Sequence, residues 1–167
     1  MELDKDTAHL LLGSNMGNRL QNLNIAIEHI EAEVGKVVAK SSVYETEAWG
    51  KTDQPGFLNQ AIEVKSALAP LPMLKILLQI EQKMGRVRLE KWGQRLIDID
   101  MIFYGKEVVR DNHDLQLPHP EMHKCRFVLE PLNEIAGNFI HPIFKEKVSS
   151  ILSNLTDKLT VEKYNQI

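Results

Sequence analysis

Asp98 and Asp100 stand one residue apart in the run Arg95-Leu96-Ile97-Asp98-Ile99-Asp100-Met101-Ile102-Phe103. The apolar residues around them read as a strand, on which successive side chains point to opposite faces. The two carboxylates therefore share one face, while Ile97, Ile99 and Met101 turn the other way into a core. Neighbouring carboxylates repel each other, and partial burial makes each ionised form more costly. A divalent cation removes both penalties. An oxygen-only donor set suits a hard ion such as Mg²⁺, which keeps several waters and also takes phosphate oxygens. The other reading of the pair is the solvated outer face of an edge strand, and the residues just upstream favour the metal.

Those residues are basic. Gly85-Arg86-Val87-Arg88 and Lys91-Trp92-Gly93-Gln94-Arg95 place three arginines and a lysine within ten residues, directly before the acidic pair. Guanidinium groups bind phosphate oxygens through two parallel hydrogen bonds, and lysine acts as a compact point charge. Such a loop beside two carboxylates suits magnesium polyphosphate, whose charge moves during transfer. Gly85 and Gly93 supply hinges that would let the loop close and exclude water. The competing reading is a solvated basic loop paired with Glu90. Gly13-Ser14-Asn15-Met16-Gly17-Asn18 is rich in small residues and follows a strand, but it lacks the lysine of a Walker A loop and reads as a turn.

Bulk properties narrow the partners. The chain has 167 residues, 26% of them charged, a formal net charge of -3 and a pI of about 6.1. A single domain over residues 1–167 is expected. A slightly acidic chain argues against nonspecific nucleic-acid binding. The lone Cys125 cannot form an intrachain disulfide. The charged start, Met1 to Asp6, lacks the apolar core of a signal peptide, and no run approaches the roughly 18–20 apolar residues that span a bilayer. These features lead us to expect a cytoplasmic protein without membrane or nucleic-acid partners.

Several elements must position the acidic pair and the basic loop. Thr7 to Leu12 reads as a buried strand entering the turn at Gly13. Leu20, Leu23, Ile27 and Ile30 recur at helical spacing, predicting a helix from Arg19 to Val34 closed by Gly35. Lys36 to Glu47 and Phe57 to Ser66 read as strands, with a loop from Trp49 to Gly56 between them. Pro70 opens a second helix that ends at Gly85. Leu96 to Tyr104 is the strand of the acidic pair, and Lys106 to Val109 is expected to pair with it across Gly105. Short helices are expected near His119 to Lys124, Phe127 to Ile135 and Lys145 to Leu155, and the tail after Thr156 carries no signal. The order gives a βαββαβ ferredoxin-like α+β core with helices on one face of a mainly antiparallel sheet, plus C-terminal extra elements.

Taken in order, the pieces resemble the 6-hydroxymethyl-7,8-dihydropterin pyrophosphokinase family of folate biosynthesis. The resemblance runs from His9 to Leu155. It is carried by Leu12-Gly13-Ser14-Asn15, Asp53-Gln54-Pro55-Gly56-Phe57-Leu58-Asn59, Ile80-Glu81 and Gly85-Arg86-Val87-Arg88. Further pieces are Trp92-Gly93-Gln94-Arg95-Leu96-Ile97-Asp98-Ile99-Asp100, Leu117-Pro118-His119-Pro120 and Arg126-Phe127-Val128-Leu129-Glu130-Pro131-Leu132.

This resemblance implies a reaction and a cast of residues. ATP would give its β,γ-pyrophosphoryl group to the hydroxymethyl of the pterin, with AMP leaving and two Mg²⁺ held by Asp98 and Asp100. Arg86 and Arg88 match the family arginines that act on the phosphates, and Trp92 and Arg95 the loop residues that seal the nucleotide. His119 matches a polyphosphate ligand, and Glu81 a helix carboxylate at the nucleotide site. Phe57 and Phe127 match the rings that sandwich the pterin, and Asn59 the amide on its edge. Thr46 and Trp49 fall where a loop backbone completes pterin recognition. ATP and the reduced pterin are the expected small-molecule partners, and a monomer is the expected state.

The residues also admit plainer roles. Phe57 and Phe127 suit core packing, and His119 a structural histidine. A zinc site from His113, His119 and His123 has irregular spacing and no cysteine to complete it. The chain departs from the family pattern at Gln94 (usually proline), Leu78 (usually polar), Asp114 (basic in some members) and Cys125, where an arginine that holds the nucleotide is expected. Arg126 is adjacent and could substitute for it. Two other function classes compete. A ferredoxin-like nucleotidyltransferase would release pyrophosphate rather than AMP, and a nucleotide- or RNA-binding module would show a basic surface with stacking aromatics.

Overall fold

The sheet is built around an apolar run that ends in small and polar residues. In the computed structural model, which describes residues 7–46, 56–85, 96–110, 112–157 and 159–165, this run is β1 (Thr7–Ser14). After it come α1 (Arg19–Glu33), β2 (Lys36–Lys40), β3 (Tyr44–Thr46), β4 (Phe57–Lys65) and α2 (Pro70–Lys83). The chain continues through β5 (Asp98–Tyr104), α3 (Arg126–Ala136), α4 (Val148–Ser153) and β6 (Val161–Lys163). The strand order is β5-β1-β4-β3-β6, with β2 also on β4, and these pairings are antiparallel. With α1 and α2 as the crossovers, this is the expected βαββαβ core.

Two apolar layers enclose the sheet. Leu10, Leu12, Ile62, Ile97, Ile99 and Met101 pack against Leu23, Ile30, Met73, Leu77 and Ile80 of α1 and α2. Leu11, Ala61, Ile102 and Phe103 pack against Val128, Leu129, Leu132, Val148 and Ile151 of α3 and α4. Each fully buried leucine or isoleucine contributes about 1.5–3 kcal/mol relative to exposure. Helices thus cover both faces, not one as the core pattern alone leads one to expect: the C-terminal elements cap the face that α1 and α2 leave open. A register shift between His9 and Leu10 puts both Ile102 and Phe103 of β5 into this second layer.

The strand expected from Lys36 to Glu47 is split. The Ser41 amide donates to the Ala61 carbonyl, but the Ser41 hydroxyl oxygen, not a backbone carbonyl, accepts from the Ala61 amide (2.9 Å for both). Together with a register shift between Val37 and Ala39, this separates β2 from β3 along one edge of β4. β1 runs two residues beyond its expected end, because Gly13 and Ser14 pair with Asn59 and Leu58. α1 starts where expected, with the Asn18 side chain accepting the Gln21 amide. Gly35 follows it because a β-carbon there would collide with the Lys65 carbonyl.

Lys106 to Val109 does not add to β5. Val109 and Leu117 exchange backbone hydrogen bonds (2.8 and 3.0 Å) instead. The outer edge of β5 is occupied by the Glu81 carboxylate, which accepts the Ile99 amide, and by His119, whose amide donates to the Ile102 carbonyl. The helix expected near His119 shrinks to a 3₁₀ turn, Met122–Lys124. The tail supplies β6, which pairs with β3. No helix among the described residues is long and apolar enough to cross a membrane.

Candidate active site

The register of the sheet sets the candidate site. Gly13 of β1 lies between Asn59 of β4 and Asp98 of β5, and Leu11 lies between Ala61 and Asp100. Leu11 and Ala61 belong to the α3 layer, while Ile97, Ile99 and Met101 belong to the α1/α2 layer. Asp98 and Asp100 therefore point to the face that carries Asn59, as alternation predicts. On the same face, Tyr44 pairs with Asn59 and Thr46 with Phe57. Asp98 is half-buried and Asp100 exposed, so both can meet a solvated ligand.

α3 runs along this face with its first turn toward the site. Its last turn lines a cleft of about 850 Å³ together with Thr7, His9, Glu63 and Lys65, at the far end of β1 and β4. Arg126 and Phe127, at the other end of the helix, consequently lie at the end bearing Phe57 and Ser14. The cleft itself is remote from the acidic pair, and the chemistry is not there.

Two polar atoms mark the sheet face beside the aspartates. Asn59 is 5% exposed, and its amide nitrogen donates to the Leu12 carbonyl at 3.3 Å. Among the described residues its buried Oδ1 has no hydrogen-bond partner, and neither has the buried Thr46 hydroxyl. A buried polar atom left unpaired costs about 1–3 kcal/mol. Both atoms are ready to meet donors or acceptors on the edge of a flat ligand. A β-carbon on Gly13 would reach to 2.7 Å from the Asn59 amide nitrogen, so the missing side chain is what keeps this space open.

Glu81 is 4% exposed and its Oε2 accepts the Ile99 amide at 2.8 Å, between the two aspartates in sequence. The carboxylate thereby fixes the edge of the strand that carries them. His119 follows the cis Leu117-Pro118 bond, and its Nδ1 accepts the Glu121 amide at 3.2 Å. With Nδ1 accepting, Nε2 is the ring nitrogen left to donate a hydrogen bond to an anion. Arg126 is engaged elsewhere. Its Nη1 meets Glu130 at 3.2 Å, and Nε and Nη2 both donate to the Asp157 carbonyl at 3.3 Å. Next to it, burial, followed by Asp157 and Glu121, pushes the Cys125 thiol up, so it stays a thiol. Trp49, Arg86, Arg88, Trp92 and Arg95 lie outside the described residues.

A magnesium site would draw on Asp98 and Asp100. Their oxygen-only donor set, shared face and exposure fit such an ion, with Gly13 leaving the adjoining space clear. Among the described residues no group of three or more His, Cys, Asp or Glu side chains is arranged to hold a metal, so His113, His119 and His123 do not form a zinc site. Two further residues matter to the site in ways the sequence does not show. Gly13 belongs to the Leu12-Gly13-Ser14-Asn15 piece, but its own reading is a turn and its close approach to Asn59 appears only in the fold. Glu134, whose carboxylate holds Tyr44 at 2.8 Å, carries no local signal because its partner is distant in the chain.

The chain is similar to known proteins over most of its length. Residues 9–137 match the family described as 7,8-dihydro-6-hydroxymethylpterin-pyrophosphokinase. The chain is 44% identical, over 149 residues, to a 2-amino-4-hydroxy-6-hydroxymethyldihydropteridine pyrophosphokinase of Methylorubrum extorquens, covering 89% of this chain and 92% of that one. It is 42% identical over 142 residues to the protein of the same name from Aquifex aeolicus, covering 84% and 86%. It is also 35% identical to the folic acid synthesis protein fol1 of Pneumocystis carinii, of which it spans only 21%. A crystal structure of wild-type Plasmodium falciparum HPPK-DHPS with pterin and p-hydroxybenzoate superposes with a TM-score of 0.71 at 16% identity, over 88% of this chain and 41% of that one.

Proposed function

The chain belongs to the 7,8-dihydro-6-hydroxymethylpterin-pyrophosphokinase family, and we propose that it transfers the β,γ-pyrophosphoryl group of ATP to the hydroxymethyl group of 6-hydroxymethyl-7,8-dihydropterin, releasing AMP. The observation that carries this reading for the chain's own residues is the buried, unpartnered Oδ1 of Asn59 on the same sheet face as Asp98 and Asp100. It supports an acceptor site for a flat heterocycle beside a site for a charged donor.

In this reading the pterin lies between Phe57 and Phe127, with its edge on Asn59 and on Thr46 and Trp49. The rings hold the plane, and the amide fixes which edge faces inward. The hydroxymethyl oxygen attacks the β-phosphorus, the bond from that phosphorus to the α,β-bridging oxygen breaks, and the hydroxyl proton passes to solvent. When bound, two Mg²⁺ held by Asp98 and Asp100 supply neutralisation of the polyphosphate charge. His119 donates a hydrogen bond from Nε2 to a phosphate oxygen. Arg86, Arg88 and Arg95 meet the charge that moves onto the leaving oxygens, and Trp92 closes over the nucleotide. Glu81 serves the nucleotide side by holding β5 in register, and Arg126 borders it from the start of α3. Positioning and electrostatics then provide the acceleration. The same reading takes residues 1–167 as one pyrophosphokinase domain, monomeric and cytoplasmic, with small molecules as its only partners.

Incubation with ATP, Mg²⁺ and the reduced pterin tests the proposal by the nucleotide produced. AMP formed in step with pterin diphosphate supports it; release of ADP, or of free pyrophosphate with a nucleotidylated product, overturns it.

A further inference from the structure

Glu134, on the last turns of α3, bridges to the strand beneath it with both carboxylate oxygens. Oε1 accepts the Tyr44 hydroxyl at 2.8 Å, while Oε2 accepts the Ser42 amide at 2.8 Å and the Ser42 hydroxyl at 3.1 Å. The three donors come from one short stretch, Ser42 just before β3 and Tyr44 at its start, and the acceptor lies 92 and 90 residues further along the chain. Tyr44 is 7% exposed as a residue, and its hydroxyl reaches the partly buried bond to Glu134, itself at the surface. Burial first, and then Glu134, raises the Tyr44 pKa far above the ordinary phenol value, so it remains a donor. Burial tends to raise the Glu134 pKa, yet the bonds from Tyr44 and Ser42 outweigh it and the net shift is downward.

Helix geometry links this contact to the pocket. Phe127 and Glu134 are seven residues apart, which places them on one stripe of α3, about 10 Å apart along its axis. On β3, Thr46 lies two residues beyond Tyr44 toward the same end, about 7 Å along the strand and on the same face. The point where Glu134 grips Tyr44 thus lies two turns along α3 from Phe127, while on the sheet it is level with Asn59, which faces Tyr44, and two residues from Thr46, which faces Phe57. Apart from apolar packing, this is the polar tie by which α3 is held to β3 among the described residues.

From this arrangement we propose that Tyr44 and Glu134 are positioning residues that set the spacing between α3 and the β3–β4 sheet edge, and with it the width of the slot that takes the flat heterocycle. The proposal deepens the pterin reading above and rests on it. Neither side chain touches the reacting atoms. Their effect falls on the affinity for the planar acceptor, and it spares nucleotide binding.

The test uses the full chain and the variants Tyr44→Phe, Glu134→Ala, Glu134→Gln and the double variant Y44F/E134A. Pterin dissociation constants are measured calorimetrically with Mg²⁺ and a non-hydrolysable ATP analogue. Affinity for the analogue alone, saturated turnover and thermal unfolding are measured in parallel. Ile30→Val, in the opposite core layer, controls for a general loss of stability. Tyr44→Phe and Glu134→Ala are expected to weaken pterin binding about tenfold each, with the double variant no worse than either alone. Nucleotide affinity and saturated turnover stay within about threefold of wild type, and Glu134→Gln, which keeps an oxygen for the Tyr44 hydroxyl, recovers most of the affinity. Pterin affinity unchanged in both single variants, or lost equally in Ile30→Val at the same melting temperature, overturns the proposal while the pterin reading stands. Failure of the wild-type chain itself to bind pterin overturns both.

Discussion

Gly13 faces Asn59 across the β1–β4 ladder, so near that a β-carbon on Gly13 would stand 2.7 Å from the Asn59 amide nitrogen. The glycine is needed for close approach. It lets the amide lie flat over β1 and donate to the Leu12 carbonyl, which leaves Oδ1 aimed away from that bond. Its other neighbour is Asp98, so one absent side chain serves both the amide and the first carboxylate.

Gly13→Ala should therefore displace Asn59 and weaken pterin binding by about tenfold, an effect close to that of Asn59→Ala. Calorimetry on the two single variants and the double variant checks this. Additive losses would show that the two residues act separately.

Asp98→Ala and Asp100→Ala should each lower AMP formation by at least about a hundredfold, as expected when a main source of electrostatic stabilisation is removed. Asp98 is half-buried and Asp100 exposed, neither within an apolar core layer, so the far-ultraviolet circular dichroism should not change. Raising Mg²⁺ should recover part of the activity only if the remaining carboxylate still binds the ion. Wild-type turnover in both variants would remove the metal assignment.

Glu81→Ala leaves the Ile99 amide buried without the acceptor it now has, at a cost of about 1–3 kcal/mol. Glu81→Gln retains an oxygen and should lose less. Urea unfolding measures both, and turnover should fall further in Glu81→Ala because β5 carries Asp98 and Asp100. A fully stable Glu81→Ala protein would contradict this role.

His141 provides a pH signature remote from the site. It is 2% exposed, and its Nδ1 accepts the amides of Ile143 and Phe144. Burial, with His123 nearby, lowers its pKa to about 4. The unfolded chain protonates this ring near 6.5, so between roughly pH 6.5 and 4 it binds a proton that the folded chain refuses. Stability from this group is complete above about pH 6.5 and falls with acidification at up to about 1.4 kcal/mol per pH unit. In His141→Asn, which keeps an acceptor, chemical denaturation between about pH 4 and 7 should show a shallower decline than wild type. Parallel curves would refute it.

By itself, the sequence determined those features that depend on neighbours in the chain. Alternation along Ile97 to Met101 fixed the common face of Asp98 and Asp100, because a strand turns its side chains by a period of two wherever it lies. Apolar spacing located α1 and α2, and the order of elements followed. The motifs from Gly13 to Phe127 identified the family, since their residue types and order can be read without coordinates. Tertiary structure alone decided the rest. β6 is a three-residue strand with no pattern of its own, formed because β3 offers it an edge. From the sequence Glu81 is only a carboxylate expected at the nucleotide site; its bond to the Ile99 amide, 18 residues away, appears only in the fold. The grip of Glu134 on Tyr44 likewise exists only after the chain has closed a loop of 90 residues. Local periodicity records which face a residue takes, but the partner it meets there is selected by packing between segments whose separation along the chain leaves no trace in either segment.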